Sequence, residues 1–175
     1  MKRTVFLLTG IFVLACIVSS VIYIKSGFDA VYSAAITFGT ISYHFVMRLA
    51  VGLVIDKAMN NKADYNSKWF KCSKLEERLY KRLNVKKWIK KGIPTFRPEY
   101  FDRTRHTWDE IAQAMCQAEI VHEVIVVLSF GPIAFSIPFG ALPVFIVTSI
   151  AAALFDLMFV VVQRYNRPRI IKFIC

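Results

Sequence analysis

The sequence has few of the residues on which metal sites and disulfide frameworks depend. It contains 4 cysteines and 3 histidines among 175 residues, and the cysteines are scattered without a Cys-x-x-Cys pair. This scatter excludes a disulfide framework and a structural zinc site of the usual spacing. The chain also lacks the His-Glu-x-x-His motif of zinc proteases. It has one Glu-x-x-His motif, whereas a four-helix di-metal site needs two.

Acidic residues are scarce as well, with 12 Asp and Glu against 23 Lys and Arg and a net charge of +11. Such a charge is common in proteins that bind nucleic acid, but no known nucleic-acid-binding module is visible. The basic residues lie mostly between apolar blocks. In that position Lys and Arg are typical of cytoplasmic loops that meet anionic headgroups. We therefore expect no nucleic-acid partner.

Long apolar runs are what the sequence has in abundance. Hydrophobic residues make up 56% of the chain and the mean hydropathy is +0.47, whereas soluble domains contain roughly 45–50% apolar residues. Four runs are long enough to cross a bilayer, and they predict spans at about residues 5–24, 30–55, 111–130 and 144–162. The predicted fold class is all-α, a single integral membrane four-helix domain over residues 1–175.

The first apolar run follows Lys2 and Arg3, as the hydrophobic region of a signal peptide would. It is longer than the roughly 7–15 residues of such a region. The residues Val13–Cys16 faintly resemble a lipoprotein cleavage box, but the chain stays hydrophobic after Cys16. These features favour a retained first span, with a cleaved signal peptide as the alternative.

Residues 57–110 form a cytoplasmic or interfacial segment between the second and third spans. Within it, the stretch 74–91 predicts a basic amphipathic interfacial helix, with Leu75, Leu79 and Leu83 on one side and Lys and Arg on the other. An ordinary solvated basic helix is the alternative. Gly92 is expected to end this helix, and the prolines predict an extended chain over 93–98.

The distribution of Lys and Arg predicts the topology. Basic residues precede the first span, fill the central segment and form a basic tail over residues 163–175. By the positive-inside rule, these three regions lie on the cytoplasmic side. We therefore predict a multi-pass protein of the cell membrane with cytoplasmic N- and C-termini.

Ionisable residues interrupt three of the spans, at a cost of roughly 2.5–3.5 kcal/mol each on insertion scales. They are His44 and Arg48 in the second span, Glu119, His122 and Glu123 in the third, and Asp156 in the fourth. At about 1.5 Å of rise per residue, all of them lie at a similar depth in the cytoplasmic half. This agreement predicts one polar pocket lined by the three spans.

The residues of this pocket allow three interpretations. Glu119 and His122 share a helical face, so His122 is a candidate general base and Glu119 its orienting carboxylate. Alternatively, Glu119, His122, Glu123 and Asp156 or His44 are ligands of a metal-dependent hydrolase or oxidoreductase. In the third interpretation the charges pair internally, in a non-enzymatic lipid-binding protein. In every case Arg48 and Asp156 need partners, because an unpaired charge at that depth is costly.

Three motifs carry a resemblance to a known family. They are Lys86-Lys87-Trp88 followed by Ile93-Pro94, then Ala118-Glu119 with His122, then the run Val162–Arg167. The chain resembles the glycosyl-4,4′-diaponeurosporenoate acyltransferase family of small bacterial membrane proteins over roughly residues 76–175. Gln113 stands where Glu is common in that family, and Asp156 where Asn is common.

The resemblance implies a membrane-embedded enzyme that moves a fatty acyl group to a hydroxyl of a lipid or glycolipid. A CoA thioester is the expected acyl donor and co-substrate, and we expect no cofactor and no metal. The expected partners are the lipid bilayer, the lipid or glycolipid acceptor and the acyl donor. The predicted catalytic residues are His122 and Glu119. The predicted substrate-binding residues are His44, Arg48, Asp156, Gln163, Arg164, Asn166 and Arg167.

Overall fold

A computed structural model of the chain describes residues 2–90 and 96–174, and it contains helices and no strand within those ranges. The helices are α1 (Lys2–Ser26), α2 (Asp29–Met59), α3 (Lys74–Arg82), α4 (Val85–Lys90), α5 (Trp108–Leu128), α6 (Ser136–Phe139) and α7 (Leu142–Ile171). Short 3₁₀ turns occupy Lys68–Phe70, Pro98–Phe101 and Gly131–Phe135. The predicted all-α class is confirmed.

Four helical segments are long and apolar enough to cross a membrane: α1, α2, the stretch Trp108–Phe139 and α7. They coincide with the four predicted spans. α7, however, continues to Ile171, so most of the predicted basic tail is helical. Its Gln, Arg, Tyr and Asn residues cost a helix little, and Pro168 falls only in the last turn, where it removes the hydrogen bond to the carbonyl of Arg164.

The chain divides into two compact units, which three of the long helices traverse. The first unit comprises Met1–Val51 with Ile125–Leu154, and the second comprises Gly52–Val124 with Phe155–Cys175.

In the first unit, α1 packs on α2 through aromatic rings and a thiol. None of the residues Lys2–Ser26 is buried. The ring of Phe12 lies 5.6 Å from that of Phe45 and 6.5 Å from that of Phe38. The Sγ of Cys16 lies 3.8 Å from the carbonyl oxygen of Ala35. α1 therefore presents most of its surface outward, as a lipid-facing helix does.

Gly131 makes the closest approach in the first unit. A Cβ at this position would overlap the hydroxyl of Tyr43, which donates a hydrogen bond to the carbonyl oxygen of Leu128 at 2.9 Å. Only a residue without a side chain leaves this hydroxyl in place. The contact ties α2 to the turn that follows α5.

Gly131→Ala is expected to lower the free energy of unfolding by about 1–3 kcal/mol, because the added methyl displaces Tyr43. Adding Tyr43→Phe should recover part of the loss. Gly52→Ala is the matched control, since a Cβ there meets no described atom within 4 Å and Ala favours a helix by roughly 1 kcal/mol over Gly. Thermal unfolding in one detergent measures all three. If Gly131→Ala unfolds at no lower a temperature than Gly52→Ala, Tyr43 can move aside at no cost in stability.

In the second unit, the predicted helix over 74–91 is two helices. Ser73 caps α3 with a capping box that includes Glu76, and Asn84 separates α3 from α4 with φ at 54°. Asn tolerates this left-handed conformation better than most residues. The bend has a clear reason: it brings Val85 into a buried cluster with Tyr80 and Val162.

The leucines of α3 face away from this cluster. Leu75, Leu79 and Leu83 are exposed by 74%, 50% and 43%, so the described part of the chain leaves the predicted apolar side uncovered. The predicted helix end at Gly92 and the start of the predicted extended segment lie outside the described residues.

Within the second unit, an ion pair joins Arg97 to the end of α2. Arg97 contacts both carboxylate oxygens of Asp56, with its Nη1 at 3.0 Å and its Nη2 at 2.9 Å. The Nε2 of Gln117 donates to the same carboxylate at 3.2 Å. Next, Thr107 accepts from the backbone N–H of Glu110, whose carboxylate accepts from the N–H of Thr107 at 2.8 Å. This capping box starts α5.

Candidate active site

The carboxylate of Glu119 lies at the centre of the second unit and is 0% exposed. Its Oε1 accepts a hydrogen bond from the Nε of Arg164 at 2.7 Å, and its Oε2 accepts one from the Nη1 of Arg167. Arg167 is itself 1% exposed. Each carboxylate oxygen therefore has a guanidinium partner, which offsets the cost of burying the charge.

The same two arginines hold the 3₁₀ turn at Lys68–Phe70. The Nη2 of Arg164 donates to the carbonyl oxygen of Trp69 at 2.7 Å, and the Nη2 of Arg167 donates to that of Phe70. The guanidinium of Arg167 also lies over the ring of Phe70, 4.9 Å from its centroid. Because the arginines stand three residues apart, they share one face of α7. Glu119 thus fixes the turn through them.

Arg164 has a further partner on α3. Its Nη1 pairs with the Oε1 of Glu76, while the Oε2 of Glu76 accepts from the backbone N–H of Ser73 at 2.7 Å. Burial raises the pKa of Glu76, but the hydrogen bonds from Ser73 and Arg164 outweigh it and hold that pKa below its usual value. A lowered pKa means that this carboxylate stabilises the fold at neutral pH. The contribution is lost as the pH falls through that pKa.

A second polar pair joins α5 to α7. The Nδ1 of His122 lies 2.9 Å from the Oδ1 of Asp156, and the two side chains are 23% and 1% exposed. Phe159 stacks on the imidazole at 4.6 Å, with 9° between the rings. A carboxylate at Nδ1 selects the tautomer that carries its proton there. The Nε2 atom then has a free lone pair, and it has no hydrogen-bond partner within residues 2–90 and 96–174.

The carboxylate beside His122 is therefore not the predicted one. Glu119 shares a helical face with His122, but its two oxygens bond to Arg164 and Arg167 instead, because hydrogen bonds from two guanidinium cations are charge-assisted. Asp156 takes the orienting position. The prediction that Asp156 needs a partner is met by His122.

Glu123 is hydrogen-bonded to Trp69, a residue that was not predicted to belong to the site. Its Oε2 accepts a hydrogen bond from the indole Nε1 of Trp69 at 3.0 Å, and its Oε1 lies 3.9 Å from the Nη2 of Arg164. Trp69, Phe70 and Glu76 were all missed as site residues. The adjacent aromatic residues Trp69 and Phe70, which stand in an otherwise polar segment, were the sequence feature that could have indicated them.

Gln163 and Asn166 are half-buried on α7. Gln163 stands two turns after Asp156, so the two share a face. Within the described ranges neither side-chain amide has a hydrogen-bond partner. Their donors are therefore available to a bound molecule.

His44 and Arg48 belong to the first unit. His44 is 6% exposed, and the Nη1 of Arg48 donates to its carbonyl oxygen at 3.2 Å. The Nη2 of Arg48 lies 3.4 Å from the carbonyl oxygen of Ala152. The predicted pocket that joins these residues to those of α5 and α7 stays a prediction.

The metal interpretation needs several ligands in one group. Across the described residues, no group of three or more His, Cys, Asp and Glu side chains is placed to hold a metal ion. The carboxylates and imidazole proposed for it have separate partners: Glu119 pairs with arginines, Glu123 with Trp69, and His122 with Asp156.

A family model described as glycosyl-4,4′-diaponeurosporenoate acyltransferase matches residues 66–175, more than half of the chain. The match includes every residue of the Glu119 cluster and of the His122–Asp156 pair. No curated protein and no solved structure matches the chain.

Proposed function

We propose, from the premise that the chain belongs to the glycosyl-4,4′-diaponeurosporenoate acyltransferase family and is a membrane acyltransferase, that His122 and Asp156 form its general base. The 2.9 Å contact between Nδ1 and the carboxylate carries this proposal. It leaves Nε2 as the atom that receives a proton. The acyl donor is a CoA thioester, and the acceptor is a hydroxyl of a glycolipid.

The reaction needs no covalent nucleophile on the protein. The acceptor hydroxyl gives its proton to Nε2 of His122 as its oxygen attacks the thioester carbonyl carbon, which forms a C–O bond. The intermediate then expels the CoA sulfur, which breaks the C–S bond, and the thiolate takes the proton from Nε2. Asp156 stabilises the transient imidazolium, as carboxylates beside catalytic histidines do.

The amide groups of Gln163 and Asn166 are our candidates for contacting the reacting carbonyl. Amide N–H donors stabilise the oxyanion that forms during acyl transfer, and one such donor contributes roughly 2.7–4 kcal/mol. The shared face of Gln163 and Asp156 on α7 supports this role for Gln163. His44 and Arg48 remain proposed contacts to the substrates from α2.

Exposed basic residues of α3 and α4 are proposed to bind the phosphates of CoA. They are Lys74, Arg78, Lys81, Arg82, Lys86 and Lys87. Phosphate binding by Lys and Arg is strong because the hydrogen bonds are charge-assisted. The exposed leucines of α3 support placing this helix at the cytoplasmic surface of the cell membrane, where a soluble donor meets a membrane-bound acceptor. Both termini then lie in the cytoplasm.

Purified protein in lipid nanodiscs tests the reaction. With an alkyl glycoside as acceptor, an acyl ester should form from acyl-CoA. Acyl-pantetheine, which lacks the nucleotide phosphates, should show a KM higher by about tenfold or more, because hydrogen bonds to charged groups are worth roughly 1.5–3 kcal/mol. Absence of ester with both donors contradicts acyl transfer from a thioester. An equal KM for acyl-CoA and acyl-pantetheine contradicts the proposed phosphate binding but leaves the acyl transfer itself standing.

A further inference from the structure

We propose that Trp69 and Glu123 form the subsite that binds the sugar headgroup of the acceptor. This inference rests on the acyl transfer to a glycolipid proposed for the same site. It assigns a role to an exposed aromatic residue and a carboxylate that the reaction at His122 does not use.

Trp69 is 62% exposed, yet it is held in place at both ends. Its carbonyl oxygen accepts from Arg164, and its indole N–H donates to Glu123. A tryptophan that only anchors a protein at the membrane interface turns its N–H toward the wet headgroups. Here the N–H is satisfied within the protein. The exposed part of the residue is an oriented indole surface.

A sugar ring matches such a surface chemically. One side of a pyranose is lined by C–H groups, which pack against the electron-rich face of an indole, and its rim carries hydroxyls that donate hydrogen bonds. The side chain of Glu123 is 25% exposed. Its Oε1 lies 3.9 Å from Arg164, which is beyond hydrogen-bond distance, so this oxygen can accept from a hydroxyl.

The subsite is next to the proposed base. Glu123 follows His122 directly on α5, so their Cα atoms are about 3.8 Å apart and their side chains diverge by about 100°. In the proposed subsite, a pyranose at Trp69 and Glu123 extends along α5 toward the neighbouring His122 and offers one of its hydroxyls to Nε2. In this arrangement Glu119 is a positioning residue, because it fixes Arg164 and thereby the Trp69 turn.

Acceptor kinetics test the subsite. Trp69→Ala should raise the KM for an alkyl glycoside by about tenfold, because the variant loses the indole surface on which the sugar packs, with little change in kcat. Trp69→Phe should raise it less. With a long-chain alcohol as acceptor, which has no sugar, neither variant should change the KM. Trp108→Phe is the matched control, because that indole is stacked on Phe173 at 5.0 Å.

A binding measurement separates this subsite from catalysis. Alkyl glycoside should quench tryptophan fluorescence in the wild type and in His122→Ala, and Trp69→Phe should abolish the quenching that Trp108→Phe retains. If Trp69→Ala leaves the glycoside KM and the quenching unchanged while His122→Ala is inactive, the subsite is refuted and the proposed function stands. If His122→Ala stays active while Trp69→Ala raises the KM, the base is refuted and the subsite stands.

Discussion

His122→Ala is expected to lower kcat by about 10²–10⁴-fold, the range that a positioned general base contributes. Asp156→Asn should lower it by about 10²-fold or more, because an amide at this position can turn the imidazole into the wrong tautomer. The KM of either substrate should change little. Initial rates of ester formation at saturating acyl-CoA and acceptor measure both effects.

His106→Ala is the matched control for this prediction. His106 lies before α5, where its Nδ1 is 3.5 Å from Glu110, and it should retain wild-type kcat. The double variant of His122 and Asp156 should be no slower than His122→Ala alone, because residues that act as one unit are not additive. Full activity in His122→Ala would eliminate it as the base.

Glu119→Gln is expected to reduce the free energy of unfolding by about 3–5 kcal/mol, the usual cost of removing one partner of a buried ion pair. The amide keeps the volume of the side chain but leaves Arg164 and Arg167 without their central counter-charge. Thermal unfolding of the purified protein in one detergent measures the loss. Glu77→Gln, an exposed position on α3, is the control and should unfold with the wild type.

A double-mutant cycle tests whether the loss comes from the ion pair. Arg167→Met removes the more deeply buried cation, so Glu119→Gln should cost less in that background than in the wild type. Equal costs in the two backgrounds would show that Glu119 and Arg167 act independently. At a temperature where Glu119→Gln is folded, a kcat near that of the wild type would separate its scaffold role from the catalytic role predicted for it.

The spans were predictable because bilayer thickness sets a length of apolar chain that is visible without any partner. The ion pairs were not, because helical spacing reports only which residues of one helix share a face. It placed Glu119 with His122. It could not report that the carboxylate of Glu119 crosses to α7, or that Asp156 returns from α7 to His122.

Two features of the helices differ from the sequence pattern for local reasons. The leucine spacing from Leu75 to Leu83 continues smoothly toward Trp88, so Asn84 looked like one more polar position rather than a bend. The burial of Val85 in a tertiary cluster decided that bend. The basic tail predicted after Val162 is helical to Ile171, and there the guanidinium groups of Arg164 and Arg167 reach the buried carboxylate of Glu119.

Because its side chains are not buried, α1 can vary in sequence more than the other long helices. With none of Lys2–Ser26 buried, most positions need only an apolar side chain, and a saturation library of this helix should tolerate exchange among Leu, Ile, Val and Phe. The exceptions are Phe12, Cys16 and Tyr23, which touch α2. Sequences that share this architecture can therefore diverge here without loss of structure, far more freely than around Glu119 and His122.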